Sequence, residues 1–267
     1  MPYANNQGIR IYYEVEGSGP ALVLAHGLGG THEDWLDTGW VGALGDRFQL
    51  ILVDARGHGR SDKLYDPEAY RPVHQAMDHV AVLDDMGLEK AHFLGWSMGG
   101  NVALAVGIRA PQRCHSLLLG GTQPFARDER LPQPGLPRPK PFAGMPDGPN
   151  PIDELLAQGG EAWAAFYAAN MEVSPRMRQR LREIDVDAVR ARFQGLHDKD
   201  LARKLAPAQM PCLIYVGEDE PAYGGAKQLA GLLPDAEFVA YPDFNHYDML
   251  SQVDVILPDI LRFLSKG

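Results

Sequence analysis

Short, unbroken apolar runs alternate along the chain with segments in which apolar residues recur at helical spacing. Runs without polar alternation are typical of parallel strands that helices cover on both faces. The runs are rich in Val, Ile and Leu and read ALVLAHG (21–27), QLILVDA (49–55), AHFLGW (91–96), SLLLGG (116–121) and CLIYVGE (212–218). An earlier stretch, IRIYYEV (9–15), predicts an antiparallel hairpin at the edge of the sheet.

Helical periodicity is clearest in two of the intervening segments. In 73–86 the apolar positions fall on one face, and Gly87 ends the pattern. These positions are Val73, Met77, Val80 and Leu83. A second apolar face covers 253–264, where Pro258 predicts either a helix start close before it or a kink. Strands that alternate with helices predict an α/β domain.

Residues 122–206 interrupt the alternation, because no strand-like run occurs in them. They include eight prolines between 131 and 151, a density that favours extended chain over regular helix. Two helical patterns follow these prolines. We therefore predict a core formed by 1–121 and 207–267, with 122–206 inserted as a helical cap that a proline-rich loop enters.

Composition limits the class of protein. The 267 residues are 45% hydrophobic, enough for one large domain with a substantial core. The net charge of -10 argues against nucleic-acid and anionic-membrane partners. The N-terminus does not read as a signal peptide, and no apolar stretch is long enough to span a membrane. We expect a cytoplasmic protein of undetermined oligomeric state, in which Cys114 and Cys212 are buried free thiols.

The segment FLGWSMGGNVAL places a G-x-S-x-G pattern, Gly95 to Gly99, between a predicted strand and a predicted helix. The two glycines suit a turn too tight for side chains, and this turn presents Ser97 at the helix N-terminus. Backbone N–H groups and the helix dipole there favour a developing negative charge. A dinucleotide site is the other glycine-rich alternative, but its G-x-G-x-x-G spacing is absent here.

With four further segments, this turn resembles the α/β-hydrolase superfamily, in the subset with a helical cap between two late strands. The segments are HGLGG (26–30), DARGHGRSD (54–62), PCLIYVGEDEP (211–221) and NHYDML (245–250). The resemblance covers essentially the whole chain. It implies a mostly parallel twisted sheet flanked by helices, with the cap inserted between two late strands.

The resemblance also implies roles for individual residues. Ser97 matches the nucleophile and His246 the base. Asn245 stands where the family usually has glycine, and we expect it to take the same left-handed backbone, which asparagine can adopt. The backbone N–H groups of Leu28 and Met98 match the oxyanion hole. His26 and the DARGHGRSD segment match structural positions of the family rather than catalytic ones.

The acid of the site is less evident, because Glu218, Asp219 and Glu220 stand in a row after a predicted strand. The family places its acid three residues after the glycine, often before a proline, which points to Glu220. Most relatives have aspartate there, so Asp219 is the second candidate, and a shift of the turn by one residue would bring it in.

These residues predict acyl transfer to a serine and then to water, on a small-molecule substrate that carries an acyl group. A carboxylesterase or lactonase needs nothing beyond this triad, and neither a cofactor nor a metal is expected. A C–C bond hydrolase or a perhydrolase on the same triad stays open as an alternative, as does a small-molecule receptor that retains the fold. Relatives with an aspartate nucleophile are set aside because position 97 is serine.

Aromatic side chains are the candidates for the substrate pocket. We expect them to form an apolar roof, although their helical spacing also suits packing within the cap itself. They are Trp96, Trp163, Phe166 and Tyr167, with Met171 and Phe193 as further candidates. Arg127, Arg130 and Arg138, near the proline-rich loop, fit solvated residues better than substrate contacts.

Overall fold

A computed structural model of the protein describes residues 2–122, 142–147, 150–195, 201–205 and 209–266. In this part of the chain, eight strands form one sheet. They are β1 (Tyr3–Asn6), β2 (Ile9–Glu16), β3 (Ala21–Ala25), β4 (Gln49–Val53), β5 (Ala91–Trp96), β6 (Cys114–Gly120), β7 (Cys212–Gly217) and β8 (Ala236–Tyr241). Arg127, Arg130, Arg138 and most of the proline-rich loop lie outside the described residues.

The helices come both from the core and from the segment between β6 and β7. Those before β6 are α1 (Asp34–Asp37), α2 (Trp40–Leu44), α3 (Pro72–Asp85) and α4 (Met98–Arg109). Those between β6 and β7 are α5 (Pro151–Ala157), α6 (Gly160–Asn170), α7 (Pro175–Arg182), α8 (Val186–Gln194) and α9 (Leu201–Leu205). The last three are α10 (Tyr223–Leu232), α11 (Asp248–Ser251) and α12 (Val253–Leu264). Single 3₁₀ turns occur at Pro67–Tyr70 and Pro111–Arg113.

The sheet order is β1-β2-β4-β3-β5-β6-β7-β8. Strands β3 to β8 are mutually parallel, while β1 and β2 form an antiparallel hairpin whose second strand pairs with β4. The predicted edge hairpin and the mostly parallel sheet are thus confirmed. The chain reverses its direction across the sheet between β3 and β5, and ligands of open α/β sheets bind at such a switch point.

Strand residues alternate between two buried faces, as the unbroken apolar runs predicted. In β3, Leu22 and Leu24 pack on the side of α2 and α12, while Val23 packs on the side of α3 and α4. Burial of each such side chain contributes about 1.5–3 kcal/mol. Helix α3 forms where the apolar periodicity predicted it. Met77 is 38% exposed, however, so the prediction that it lies on the buried face was wrong.

Between β6 and β7, helices are the only regular secondary structure of the described residues. Helices α5 to α8 contribute buried residues to the cluster on one face of the sheet, whereas α9 packs against α4, with Leu205 in the opposite cluster. The boundaries of the cap at 122 and 206 stay a prediction. No helix of the described chain has the length and apolarity that a membrane crossing needs.

Both cysteines are free and buried, at the starts of the neighbouring strands β6 and β7. Burial raises the pKa of the Cys114 thiol and of the Cys212 thiol to about 12. Each thiol is therefore protonated at neutral pH.

Candidate active site

Ser97 lies in the turn between β5 and α4, with φ 57° and ψ −116°. Its N–H donates to the carbonyl oxygen of Gly120 at 2.8 Å. The flanking glycines are sterically required. A Cβ on Gly95 would lie 2.3 Å from the oxygen of Gly99, and a Cβ on Gly99 would lie 1.9 Å from the oxygen of Ala25. Only glycine at both positions lets the turn press against β3 and present the serine.

His246 follows β8 and reaches the serine from the same edge of the sheet. Its Nε2 lies 2.9 Å from Ser97 Oγ. Trp96 packs against this imidazole, with the two ring centroids 5.1 Å apart. Its Nε1–H also donates to the carbonyl oxygen of His246 at 3.1 Å. The imidazole is thus held between a hydroxyl and an aromatic wall.

Glu220, and neither of the other two acids of the row, lies against this histidine. Its Oε2 is 2.6 Å from His246 Nδ1, and its Oε1 accepts the N–H of Gly217 at 2.9 Å. The carboxylate is buried, with the residue 1% exposed. Gly121 makes room for the contact, since a Cβ there would lie 2.9 Å from His246 Nδ1 and 3.0 Å from Glu220 Oε2.

Asn245 does not take the left-handed backbone that its replacement of glycine suggested; in this loop Asp243 has the positive φ, 62°. Asn245 instead organises the start of α11. Its Oδ1 accepts the N–H groups of Tyr247 and Asp248, and its own N–H donates to Asp248 Oδ2 at 2.6 Å. The side chain thereby fixes the turn that carries His246.

The turn after β3 faces Ser97 across the switch point. Gly27 and Gly29 allow aromatic side chains to approach it closely, because a Cβ on either would lie 2.3 Å from the ring of Trp96 or of Trp163. Within the described chain, no hydrogen bond uses the N–H of Leu28. The same holds for the N–H of Met98, next to the serine. Both donors are available to a substrate oxygen.

The aromatic residues predicted for the pocket are buried and contact the site. Tyr167 donates its hydroxyl to the carbonyl oxygen of Leu28 at 2.9 Å, and Trp163 covers Gly29. Phe166 packs against Trp163 with ring centroids 5.7 Å apart. The cap helix α6 therefore packs on the turn that carries Leu28, so its aromatic residues serve both cap packing and the wall of the site.

Two aromatic residues at the site were not predicted. The ring of Phe142 lies 5.8 Å from the His246 ring, and that of Tyr247 lies 5.5 Å from it. Tyr247 directly follows the histidine in the sequence, which is a usable signal. Phe142 is an isolated aromatic residue at the end of the proline-rich loop, and nothing in its neighbours marks it.

The remaining polar cluster near the site is structural. His26 Nε2 accepts the N–H of Ala55 at 3.0 Å, and burial lowers the pKa of this histidine to about 4. Arg56 binds both carboxylate oxygens of Asp78, at 2.6 and 2.7 Å. Asp54 accepts the backbone N–H of His32 at 2.8 Å. These contacts fix the loops after β3 and β4.

Taken together, the site holds a hydrogen-bonded hydroxyl, imidazole and carboxylate beside two unused backbone donors. This arrangement can activate an alcohol as a nucleophile and stabilise an oxyanion. Among the described residues, no group of three or more His, Cys, Asp or Glu side chains is arranged to hold a metal ion.

Comparison with known proteins agrees with this fold. Residues 20–252 match the model of a family described as alpha/beta hydrolase fold. The chain is 27% identical to 3-oxoadipate enol-lactonase 1 of Acinetobacter baylyi, over 81% of this chain and 78% of that protein. It is 32% identical to the pimeloyl-[acyl-carrier protein] methyl ester esterase of Aeromonas hydrophila, over 75% of this chain and 77% of that protein.

A solved structure has the same architecture. The crystal structure of the enol-lactonase from Burkholderia xenovorans superposes with a TM-score of 0.79, covering 99% of this chain and 100% of that one. The sequence identity is 21%, so this likeness shows the shared fold.

Proposed function

Because the chain belongs to the α/β-hydrolase family, we propose that it is a serine hydrolase that cleaves a carboxylic ester or a lactone through an acyl-enzyme. Ser97 is the nucleophile, His246 the general base and Glu220 the acid that orients the base. The observation that carries the proposal is the continuous hydrogen-bonded chain from Ser97 Oγ through the imidazole to the buried carboxylate.

In the first half of the reaction, Ser97 Oγ attacks the substrate carbonyl while His246 Nε2 takes its proton across 2.9 Å. Glu220 Oε2 accepts from Nδ1, which fixes the tautomer and stabilises the imidazolium that forms. The N–H groups of Leu28 and Met98 bind the oxyanion. One such donor contributes about 3 kcal/mol in the transition state.

The ester C–O bond then breaks as His246 passes this proton to the leaving alcohol, and this leaves the acyl-enzyme. In the second half, His246 takes a proton from a water molecule that attacks the acyl carbon, and it returns the proton to Ser97 Oγ as the acid is released. For a lactone, the leaving hydroxyl stays attached to the acyl group. The chemistry is the same for both substrates, and the shape of the wall formed by Trp96, Trp163, Phe166 and Tyr167 selects between them.

The test is turnover of short-chain p-nitrophenyl esters and of γ- and δ-lactones by the wild type and by Ser97→Ala. Replacing the nucleophile should lower kcat by about 10⁵-fold. Ser265→Ala is the matched control. This serine is exposed and lies near the C-terminus, so the variant should keep wild-type turnover. Equal turnover by wild type and Ser97→Ala would contradict the proposal.

A covalent readout complements the kinetics. A fluorophosphonate should add one adduct to the wild type, on the peptide that contains Ser97, and none to Ser97→Ala. An adduct on another serine would assign the nucleophile elsewhere. The cytoplasmic location and the absence of nucleic-acid and membrane partners stay predictions from the sequence.

A further inference from the structure

The turn that carries Leu28 is a tight turn with a reversible central peptide. The N–H of Gly30 donates to the carbonyl oxygen of Gly27 at 3.2 Å, and Gly29 has φ 71°. Leu28 is not among the residues of the described chain with positive φ. A positive φ at the third residue and not at the second is the signature of a type II turn. A type I turn differs by reversal of the central peptide, here Leu28–Gly29, and glycine adopts either backbone at little cost.

The core holds the first peptide of this turn, Gly27–Leu28, whose N–H is the proposed oxyanion donor. His26 Nε2 accepts the N–H of Ala55 at 3.0 Å, so the proton of the neutral imidazole is on Nδ1. That Nδ1 lies 2.8 Å from the carbonyl oxygen of Gly27 and donates to it. Because the carbonyl and the N–H of a planar trans peptide point in opposite directions, this bond directs the Leu28 N–H away from His26.

The cap holds the second peptide, Leu28–Gly29. The hydroxyl of Tyr167, on α6, donates to the carbonyl oxygen of Leu28 at 2.9 Å. Within the described chain, this is the single hydrogen bond of that peptide. Trp163 contacts Gly29, but its Nε1–H has no hydrogen-bond partner. The one peptide of the turn that glycine allows to reverse is therefore hydrogen-bonded by a cap residue and not by the core.

Tyr167 is buried between the two turns that form the site. The residue is 2% exposed, and burial raises the pKa of its hydroxyl well above the ordinary value, so this group stays a donor at neutral pH. Its ring centroid lies 5.0 Å from that of Tyr247, the residue after His246. A single cap side chain thus contacts both the turn of the oxyanion donor and the turn of the base.

We propose that Tyr167 is a positioning residue for the oxyanion hole. Its hydroxyl fixes the Leu28–Gly29 peptide and thereby keeps the adjacent Leu28 N–H directed at the substrate oxygen. The role of this N–H rests on the proposed function. An oxyanion donor acts at about 2.7–3.1 Å from the oxyanion, so a displaced donor weakens binding of the transition state more than binding of the substrate. The cap then contributes to the rate of the reaction as well as to the choice of substrate.

The kinetic test uses Tyr167→Phe, which removes the hydroxyl and retains the ring. With short-chain p-nitrophenyl esters, kcat and kcat/KM should both fall by about 20-fold. This is less than the loss of about 100-fold or more on deletion of a donor, because here the donor is displaced. The inhibition constant of an aryl trifluoromethyl ketone, whose adduct with serine carries an oxyanion, should rise by a similar factor.

Tyr70→Phe is the matched control. Tyr70 is also buried, and its hydroxyl donates to the carbonyl oxygen of Leu64 at 2.6 Å, so the substitution removes the same kind of bond away from the site. It should lower Tm but keep kcat and the inhibition constant within about 2-fold. If Tyr167→Phe behaves in this way, the hydroxyl is structural and the proposal is overturned. A higher KM at unchanged kcat would assign Tyr167 to substrate binding and would overturn it too.

A further measurement observes the Leu28 N–H by NMR and does not depend on turnover. Protein with carbon-13 at the glycine carbonyls and nitrogen-15 in leucine gives a selective signal only where leucine follows glycine. The sequence has five such leucines, Leu28, Leu88, Leu136, Leu196 and Leu232. The variant Leu28→Met assigns the signal of Leu28 by its loss.

In Tyr167→Phe the Leu28 signal should shift or broaden, although its N–H is not bonded to Tyr167, while Tyr70→Phe should leave it in place. An unchanged Leu28 signal in Tyr167→Phe would overturn the role of Tyr167 and leave the proposed function intact. Absence of ester turnover by the wild type would reject the proposed function, and the Leu28 signal would still decide whether Tyr167 holds the turn.

Discussion

Ser97 has a backbone conformation that residues with a side chain rarely adopt, and its surroundings maintain it. The positive φ is a local strain of the order of 1–3 kcal/mol. The N–H bond to Gly120 and the contact of Gly99 with β3 oppose relaxation of the turn. At the scale of single residues, the site is thus fixed by backbone contacts before the substrate arrives.

The acid of the site can be tested by amide substitution. Glu220→Gln should lower kcat by about 10⁴-fold, because an amide in this place favours the wrong tautomer of His246. Asp219→Asn, one residue away, should change kcat by less than about 3-fold, since it is Glu220 that contacts the imidazole. Equal losses in both variants would contradict this assignment, and Tm values show whether the fold survives.

The sequence placed the acid within three residues, and the resemblance ranked Glu220 first and Asp219 second without excluding Asp219. The choice depends on the turn after β7, in which Glu220 Oε1 returns to the N–H of Gly217. That bond absorbs the extra methylene of glutamate and leaves Oε2 for the histidine. A return contact of this kind is set by the three-dimensional course of the turn, so counting along the sequence ranks Glu220 first but cannot exclude Asp219. The backbone of Asn245 was mispredicted for the same reason.

At the scale of elements, helix α7 is tied to α1 by one guanidinium. Arg180 contacts Asp34 and Asp37, and Asp34 Oδ2 also accepts the N–H of Thr31 at 3.1 Å. Thr31 follows the turn that carries Leu28. One buried carboxylate therefore links a cap helix to the turn that faces the nucleophile.

Removing this link should be costly. Arg180→Met leaves the buried Asp34 without its cation and should lower the free energy of unfolding by about 3 kcal/mol, measured by urea denaturation. Arg176→Met removes an ion pair to Glu33 from a side chain that is 64% exposed, and it should cost less than about 1 kcal/mol. Similar losses in both variants would show that the contact with Asp34 has no special weight.

Elements were predictable to the extent that their patterns are local. The parallel strands were readable because both of their faces are apolar, as Leu22, Val23 and Leu24 illustrate. The burial of the aromatic residues of α6 could be predicted from the sequence. The surface that buries them could not, because Trp163 and Tyr167 contact a turn that lies far away in the sequence.

At the scale of the whole molecule, several histidines are buried away from the catalytic contacts, among them His26, His58, His79 and His92. Burial lowers the pKa of His26 and of His92 to about 4, that of His58 well below its ordinary value, and that of His79 as well. All four are neutral in the folded protein at neutral pH. The unfolded chain takes up their protons below pH ~6.5.

The free energy of unfolding should therefore decrease as the pH is lowered. The contribution of these histidines is present above pH ~6.5 and is lost as the pH falls toward their folded pKa values. Burial raises the pKa of Asp34 to about 6, which acts in the opposite direction between pH ~4 and 6. His26 and His92 contribute two protons near pH 5, less one for Asp34, which leaves a slope of about 1.4 kcal/mol per pH unit, and His58 and His79 act in the same direction as these two histidines.

Denaturation at pH 7, 6 and 5 measures this slope. His92→Asn removes one of the titrating groups, at a position in β5 bonded to Ser116, and should reduce the slope by about 1.4 kcal/mol per pH unit. A free energy of unfolding that stays constant from pH 7 to pH 5 would contradict the expectation.

The two cysteines make the protein convenient for spectroscopy. Maleimides and spin labels react with accessible thiolates, and the thiols of Cys114 and Cys212 are both inaccessible and protonated. Dyes should therefore react only with cysteines that are introduced at exposed positions. Two such cysteines, one on α7 and one on the exposed side of α12, would carry a pair of labels that reports the distance between cap and core in single molecules. Neither Cys114 nor Cys212 would have to be replaced.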